Sequence, residues 1–243
     1  MPHFFINSKN VEKNCVTISD LENYRHIAKS LRARIGEKLL LIDETQIQYE
    51  TIISKIDSEK IVCHIEKKYP SNRDLDFDLY LAQSPLRSDS QLTIVEKATE
   101  LGIRSIYPII TDNCAVSLDN ALKKVPKWQR IMYEASKQCE RAKIPECYEP
   151  SYLDKVLSNK FDKILVLAER STEISLKEYL YKNPITKGEK VLVIVGPEGG
   201  FSQKEFDFFK SKNLPLITLG NLILKAETAV ITALGNIIYE YKR

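Results

Sequence analysis

The sequence predicts an α/β protein in which a small β-barrel-like module precedes a larger domain built on a mostly parallel sheet. Residues 1 to about 70 contain short β segments, whereas strand and helix patterns alternate after Pro70–Asn72. Later in the chain, the apolar Val191–Val195 segment runs directly into the Gly-Pro-Glu-Gly-Gly turn at Gly196–Gly200. This combination is typical of a buried parallel strand that ends at a ligand-binding loop.

The first module is predicted from four β segments and one helix. The helix is expected over Leu21–Arg34, beginning at a Ser19 or Asp20 cap and ending before Gly36. The turn-rich Pro70–Asn72 segment divides the chain into predicted domains at residues 1–72 and 73–243. The four predicted strands are Val16–Ile18, Lys38–Ile42, Gln46–Ile53 and Lys60–Ile65.

Strands and helices then follow each other in turn. Ser202 and Glu205 form an S-x-x-E capping box, which predicts that a helix begins directly after the glycine turn. The last predicted helix, Ala226–Tyr241, carries an apolar stripe that suits core packing and is also compatible with a dimer interface. The predicted strands are Leu75–Ala82, Ser105–Ile110, Lys163–Ala168, Val191–Val195 and Leu216–Leu219, and the predicted helices are Gln91–Leu101, Lys127–Arg141, Gln203–Lys210 and Ala226–Tyr241.

The composition argues against several classes of protein. The chain of 243 residues is 43% hydrophobic and contains no long uncharged apolar run, so no transmembrane helix is expected. The N-terminal residues lack the basic and apolar regions of a secretory signal. The 5 cysteines are scattered and never spaced as C-x-x-C, and there are only 3 histidines. These features indicate a cytoplasmic protein in a reducing compartment, without a disulfide framework or a metal centre.

Basic residues concentrate in two segments although the net charge is only +3. Clusters of this kind suit phosphate contacts that position a nucleic acid, and the alternative for each is an ordinary solvated helix face. The first cluster contains Arg25, His26, Lys29, Arg32, Arg34 and Lys38, and the second places Lys127, Arg130, Lys137 and Arg141 on one face of a predicted helix.

The glycine turn is unlike the common nucleotide-binding loops. Neither G-x-G-x-x-G after a first strand nor G-x-x-x-x-G-K-[ST] is present. The turn carries Glu198 and no lysine, so it is better suited to a neutral or cationic ligand than to a phosphate. A tight turn made only for packing is the alternative explanation.

Further motifs along the chain extend the pattern of the glycine turn. The sequence as a whole resembles the RsmE-type family of ribosomal RNA methyltransferases. The motifs that carry the resemblance are EKATELGI at Glu96–Ile103, W-Q-R at Trp128–Arg130, QCERAKIPE at Gln138–Glu146, IVGPEGGFS at Ile194–Ser202 and LGNLILKAETA at Leu219–Ala229, together with H-x-x-x-x-L-R at His26–Arg32.

The resemblance implies a fold and an activity. It implies a PUA-like β-barrel for RNA binding at residues 1–72 and a SPOUT methyltransferase domain with a deep trefoil knot at residues 73–243. The implied reaction is methylation of N3 of a uridine in 16S ribosomal RNA with S-adenosylmethionine as cofactor, in the cytoplasm. SPOUT proteins usually work as homodimers in which the partner chain completes each site.

The resemblance also implies which residues form the site. Arg141 is the candidate for a cation that stabilises a deprotonated uracil and anchors RNA, while Glu227 and Glu198 are candidates to orient the cofactor or accept a proton. The identity of the base stays open. The implied cofactor residues are Leu167, Ala168, Ile194, Gly196, Pro197, Glu198, Gly199, Gly200, Leu219, Gly220, Ile223, Leu224, Lys225, Thr228 and Ala229. The candidate RNA-binding residues, taken mainly from the two basic clusters, are Arg25, His26, Lys29, Arg32, Lys127, Arg130, Lys137 and Arg141.

The sequence departs from the family at positions where positive charge is common. Ser90-Gln91 stands where a lysine followed by methionine is common, Asn113 and Lys225 each replace an arginine, and Glu140 replaces a small residue. Lysine does not reproduce the bidentate fork of arginine. Two alternatives therefore stay open: a SPOUT methyltransferase that acts on another RNA atom, such as a ribose 2′-hydroxyl, and a non-catalytic RNA-binding assembly factor.

Overall fold

The computed structural model describes residues 1–168 and 174–241, without the side chain of Ser88. The chain forms two compact units. The first unit contains Met1–Asp74 and Ser136–Ile144, and the second contains Leu75–Ala135 and Pro145–Arg243. Each unit has its own sheet and its own buried core.

The first unit is built on a six-stranded sheet. Its strands are β1 (His3–Ile6), β2 (Val11–Glu12), β3 (Cys15–Ile18), β4 (Lys38–Asp43), β5 (Ile47–Ile56) and β6 (Ile61–Pro70). They lie in the order β1-β4-β5-β6-β3-β2, with β1 parallel to β4 and all other neighbours antiparallel. The four predicted strands of this region are present, and β1 and β2 are additional.

The helix of the first unit is shorter than the sequence predicts. Asp20 caps its first turn, with Oδ1 accepting a hydrogen bond from the Asn23 amide at 2.8 Å. The α-helix α1 covers Leu21–Tyr24 and continues as a π-helix over Arg25–Ser30. The prediction that it reaches Arg34 is wrong, because Arg32 adopts a φ of +52°, which a right-handed helix does not accommodate.

Asp43 organises the turn between β4 and β5. Its buried carboxylate accepts hydrogen bonds from the Thr45 hydroxyl at 2.6 Å and from the Tyr49 hydroxyl at 2.7 Å. The backbone amides of Thr45 and Ile47 also donate to it. Burial alone would raise the pKa of Asp43, but these hydrogen bonds outweigh it and hold the pKa below the ordinary value of 3.8.

The second unit contains a seven-stranded sheet in which all neighbouring strands are parallel. Its strands are β7 (Asp78–Gln83), β8 (Ser105–Pro108), β9 (Glu146–Cys147), β10 (Lys163–Leu167), β11 (Ile174–Ser175), β12 (Lys190–Val195) and β13 (Leu216–Thr218). Their order is β11-β13-β10-β12-β7-β8-β9. The predicted parallel sheet is confirmed.

Helices cover both faces of this sheet. They are α2 (Ser88–Glu100), α3 (Leu118–Leu122), α4 (Val125–Gln138), α5 (Leu153–Leu157), α6 (Leu176–Lys182), α7 (Gln203–Ser211) and α8 (Ala226–Tyr241). Alternate residues of β12 enter two separate clusters, because successive side chains of a strand point to opposite faces. Val193 packs in one cluster with Ala233 of α8, and Ile194 packs in the other with Phe209 of α7.

The helix α4 ends at Gln138, so the prediction that it reaches Arg141 is wrong. The amide of Arg141 donates to the Ser136 carbonyl at 3.0 Å, and Glu140 adopts a φ of +57°. This is the Schellman arrangement that closes a helix with a left-handed residue. Arg141 therefore does not lie on the helical face that carries Lys127 and Arg130.

The five cysteines are free thiols. Cys63 is buried in the first unit and Cys147 in the second. Burial raises the pKa of Cys63 to about 11 and that of Cys147 to about 12. Within residues 1–168 and 174–241, no helix is long and apolar enough to cross a membrane, and no group of His, Cys, Asp and Glu side chains is arranged to hold a metal ion.

Candidate functional site

A cavity of about 620 Å³ lies at the carboxyl ends of three neighbouring strands of the second unit. β10 lies between β12 and β13, and all three run parallel. Their carboxyl ends therefore meet at one edge of the sheet, where open α/β sheets bind ligands. The cavity is lined by Ser90, Leu167, Ala168, Val195, Gly196, Pro197, Glu198, Gly199, Gly200, Phe201, Phe206, Ile217, Thr218, Leu219, Leu222, Ile223, Leu224, Lys225, Ala226, Glu227 and Ala229.

The glycine turn forms one wall of this cavity. The amide of Gly200 donates to the Pro197 carbonyl at 2.9 Å, which closes a four-residue turn. Gly200 has a φ of +68°, a conformation that L side chains rarely adopt. The predicted capping box then starts α7: the Glu205 amide donates to Ser202 Oγ at 3.2 Å, and the Ser202 amide donates to Glu205 Oε2 at 2.8 Å.

Two carboxylates line the cavity, and each accepts a hydrogen bond from the segment that begins α2. Glu227 Oε1 accepts from the Ser90 hydroxyl at 3.2 Å, and Glu198 Oε1 accepts from the Arg87 amide at 3.3 Å. Glu227 lies in the first turn of α8, where the helix dipole favours negative charge. Lys225 is the one cation among the lining residues that the structure describes, and it is exposed.

The predicted cofactor residues come together at this cavity, apart from Ile194, Gly220 and Thr228. Ile194 is fully buried in β12 beneath the cavity-lining turn. Gly220 lies in the loop after β13, where its amide donates to Thr218 Oγ1 at 3.1 Å. Thr228 is exposed on α8. The catalytic candidates Glu198 and Glu227 both line the cavity, whereas Arg141 does not.

Several lining residues are absent from the predicted site, most clearly Ser90, Phe206 and Leu222. Ser90 lies in α2, where the sequence marks it only as a departure from a lysine that is common in the family. Its bond to Glu227 joins residues far apart in the chain, which only the fold reveals. Phe206 follows the capping box on α7, and Leu222 lies inside the second glycine-containing motif, so both could have been found by extending the motifs.

Arg141 lies in the first unit, where its side chain is buried. Its Nε donates to Asp74 Oδ1 at 2.9 Å, and the two side chains are only 7% and 17% exposed. Glu140, the preceding residue, forms an ion pair with Arg73. The guanidinium of Arg141 is thus held by a neighbouring carboxylate.

The residues predicted to bind RNA fall into two groups. Arg25, Lys29, Arg32, Lys127 and Arg130 are exposed. Lys137 is buried: its Nζ lies 3.4 Å from His26 Nδ1 and 5.5 Å from the centre of the Phe4 ring. His26 is half-buried and packs edge-on against Phe4, with ring centres 5.3 Å apart. Lys137 and His26 therefore pack within the first unit.

Comparisons with known proteins agree with this arrangement. A family profile described as an RNA methyltransferase domain matches residues 73–238, and one described as an RNA methyltransferase PUA domain matches residues 18–66. The chain is 28% identical to ribosomal RNA small subunit methyltransferase E of Bacillus subtilis, over 90% of this chain and 88% of that protein. It is 30% identical to the protein of the same name from Aquifex aeolicus, over 83% and 85% of the two chains.

Two solved structures share the fold over nearly their whole length. A Legionella pneumophila protein determined in complex with SAM is 26% identical, with a TM-score of 0.83 over 98% of this chain and 97% of that one. A ribosomal RNA small subunit methyltransferase E from Neisseria gonorrhoeae, bound to S-adenosyl methionine, is 22% identical, with a TM-score of 0.84 over 99% and 98%. Because the methyltransferase profile spans most of the sequence, this chain belongs to the RNA methyltransferase family.

Proposed function

We propose that this protein transfers a methyl group from S-adenosylmethionine to N3 of a uridine in 16S ribosomal RNA. The observation that carries the proposal is the cavity at the ends of β10, β12 and β13, whose walls are the two motifs typical of the family. Membership in the RNA methyltransferase family and the names of the relatives support the substrate, and the similar structure determined with SAM supports the cofactor.

The cavity suits S-adenosylmethionine in size and chemistry. Its volume lies within the usual range of about 300–1,000 Å³ for small-molecule sites. Apolar side chains such as Leu167, Ile217 and Leu224 suit an adenine ring, while backbone groups of Gly196–Gly200 suit its polar edges. Glu198 and Glu227 are compatible with a cationic ligand. The cofactor supplies a methyl group bonded to a positively charged sulfur.

The transfer requires alignment and the loss of one proton. It forms an N3–methyl bond, breaks the sulfur–methyl bond and releases the N3 proton. Glu227 is our first candidate to accept that proton, because it lines the cavity and the Ser90 hydroxyl holds it at 3.2 Å. Glu198 is the second candidate, and its bond to the Arg87 amide equally suits a role in shaping the turn.

Arg141 is our candidate for the cation that stabilises the deprotonated uracil. In the present arrangement its Nε is bonded to Asp74. Its catalytic role would therefore require the guanidinium to exchange this carboxylate for the oxygen of the substrate. A purely structural role for the Arg141–Asp74 pair is the alternative, and a double variant that replaces both residues separates the two.

The exposed basic residues are proposed to bind the phosphates that flank the target uridine. Arg25, Lys29 and Arg32 belong to the first unit, and Lys127 and Arg130 to the second. His26 and Lys137 would support the basic residues of the first unit from within. N3 of uridine is engaged in any Watson–Crick pair, so the target base must be unpaired or flipped out.

The proposed organisation follows the family. Residues 1–72 would form a PUA-like barrel that binds RNA, and residues 73–243 a SPOUT domain with a trefoil knot. The two profile matches support this division. We further propose a homodimer that works in the cytoplasm without a metal ion. Light scattering of the purified protein tests the dimer.

The decisive experiment is nucleoside mass spectrometry of small-subunit ribosomal RNA from cells with and without the gene. We expect 3-methyluridine to disappear without the gene and to return when the purified protein and S-adenosylmethionine are added in vitro. Loss of a 2′-O-methyl nucleoside instead would indicate another target atom. Unchanged RNA, together with no calorimetric binding of S-adenosylmethionine, would favour a non-catalytic assembly factor.

A further inference from the structure

The glycine turn that lines the cavity is held from its outer side by Asn113. This residue lies in the loop after β8, and its Nδ2 donates to the carbonyls of Gly199 and Gly200, at 3.3 and 3.1 Å. Asn113 itself does not line the cavity. The Asn113 side chain can therefore influence the cavity only through the backbone of the two glycines.

The loop that carries Asn113 is anchored independently of that amide. The backbone amide of Asp112 donates to Glu205 Oε1 at 3.0 Å, and the Ser202 hydroxyl donates to Asp112 Oδ2 at 2.5 Å. Glu205 is buried and also accepts from the Ser202 amide, so it joins this loop to the start of α7. These bonds remain when Asn113 is replaced, which separates its contribution from the folding of the loop.

Close packing adds to the hydrogen bonds. A Cβ atom at position 199 would lie 3.1 Å from Asn113 Cβ, which is tighter than ordinary contact. Glycine at this position allows Asn113 to approach the turn closely enough to reach both carbonyls. The neighbouring residue, Gly200, has a φ of +68°, and a glycine readily adopts other conformations, so an external contact restricts the turn to this one.

We propose that Asn113 is a positioning residue that holds the glycine turn in its cofactor-binding shape before the cofactor arrives. The inference rests on the proposed function of the cavity. A wall that is already in its bound conformation loses less entropy on binding, and affinity rises accordingly. Asn113 thus sets the affinity for the cofactor without touching it.

The test compares Asn113→Ala and Asn113→Asp with the wild-type protein. Alanine removes the donor, and aspartate keeps the shape but places a carboxylate against two carbonyls. We expect the dissociation constant for S-adenosylmethionine, measured by calorimetry, to rise about three- to tenfold for alanine, as for the loss of one hydrogen bond, and further for aspartate. Because Asn113 does not touch the reacting atoms, kcat at saturating cofactor should change less than about twofold.

A second readout does not need the cofactor. Hydrogen exchange of the peptide covering residues 196–202 should be faster in both Asn113 variants than in the wild type. Asn120→Ala is the matched control, since Asn120 is exposed in α3 and does not line the cavity. It should leave both the exchange and the affinity unchanged.

The outcomes separate the two proposals. If the wild type binds S-adenosylmethionine and both Asn113 variants bind it equally well, or lose kcat instead of affinity, the positioning role is overturned while the proposed function stands. If the wild type does not bind S-adenosylmethionine, the proposed function fails. In that case unchanged hydrogen exchange in the variants would also refute the effect of Asn113 on the turn.

Discussion

At the scale of single residues, the carboxylate of Glu227 is the most informative group in the cavity. It comes from the first turn of α8 and is bonded to Ser90 at the start of α2. The motif that contains Glu227 is visible in the sequence, but its partner is not. Ser90 has no pattern of its own, and it lies 137 residues away along the chain.

We expect Glu227→Gln to lower the rate constant of methyl transfer by about 10²-fold or more, because proton transfer by a positioned group typically contributes about 10²–10⁴-fold. Single-turnover methylation of ribosomal RNA at saturating cofactor is the measurement. Glu240→Gln is the control, as Glu240 is an exposed carboxylate on the same helix and does not line the cavity. Equal rates for the two variants would exclude Glu227 as the base.

Arg141→Ala should lower the free energy of unfolding by about 3 kcal/mol, because it leaves the carboxylate of Asp74 partly buried without its cation. Denaturant unfolding measures the change. The double variant Arg141→Ala, Asp74→Asn should recover part of that stability. Recovered stability with recovered methylation would assign Arg141 a structural role, whereas recovered stability without methylation supports its role as the cation.

At the scale of elements, the sequence predicts the long parallel strands, α7 and α8 well, and the ends of the first helix and of α4 poorly. Long apolar runs such as Val191–Val195 have only one good environment, between two layers of helices. The ends of the first helix and of α4 depend on left-handed residues, Arg32 and Glu140, for which no glycine signals the break. The strand β1 is missed because it is short and has no alternating pattern.

The glycine turn allows a matched test of backbone conformation. Gly200→Ala and Gly188→Ala each place a side chain at a positive φ, +68° and +82°, with open space around the new Cβ. Both should lower the free energy of unfolding by roughly 1 kcal/mol. Only Gly200→Ala should also weaken binding of S-adenosylmethionine, measured by calorimetry. Equal affinities would show that the turn does not contact the cofactor.

The turn between β4 and β5 predicts a dependence of stability on pH. The hydrogen bonds to Asp43 lower its pKa below 3.8, so their contribution is present at neutral pH and disappears as the pH falls through the folded-state value. Asp43→Asn should lower the free energy of unfolding by about 2 kcal/mol at about pH 7. We expect a smaller difference at about pH 3 in urea titrations.

Glu59→Gln is the control for Asp43→Asn, because Glu59 is exposed in the turn between β5 and β6. Its free energy of unfolding should match that of the wild type at both pH values. If the difference in free energy of unfolding between wild type and Asp43→Asn did not shrink in acid, the contribution of Asp43 to stability would not depend on its negative charge.

At the scale of the whole molecule, charge is distributed unevenly although the net value is only +3. The helical periodicity of the sequence predicts one face that carries all four basic residues of the second cluster. The structure leaves Lys127 and Arg130 exposed, buries Lys137, and places Arg141 beyond the end of α4. Periodicity alone could not show this, because the end of the helix depends on Glu140.

Lys127→Ala combined with Arg130→Ala should weaken binding to ribosomal RNA and reduce its salt dependence. The slope of log K against log[salt] should become shallower by about one for each phosphate that the variant no longer binds. Filter binding between about 50 and 200 mM salt measures this slope. Lys177→Ala with Lys187→Ala, two exposed lysines outside both clusters, should leave the slope unchanged. Equal slopes for the two double variants would place the RNA elsewhere.

The two buried cysteines, one in each unit, can report the transient opening of the two units separately. Cys63 and Cys147 are buried, at 0% and 7% exposure, and raised pKa values keep them as poorly reactive thiols in the folded state. An alkylating reagent therefore modifies each of them only while the surrounding unit is open. Mass spectrometry after timed labelling would give separate opening rates for the two units in one sample, with no dye, tag or added mutation.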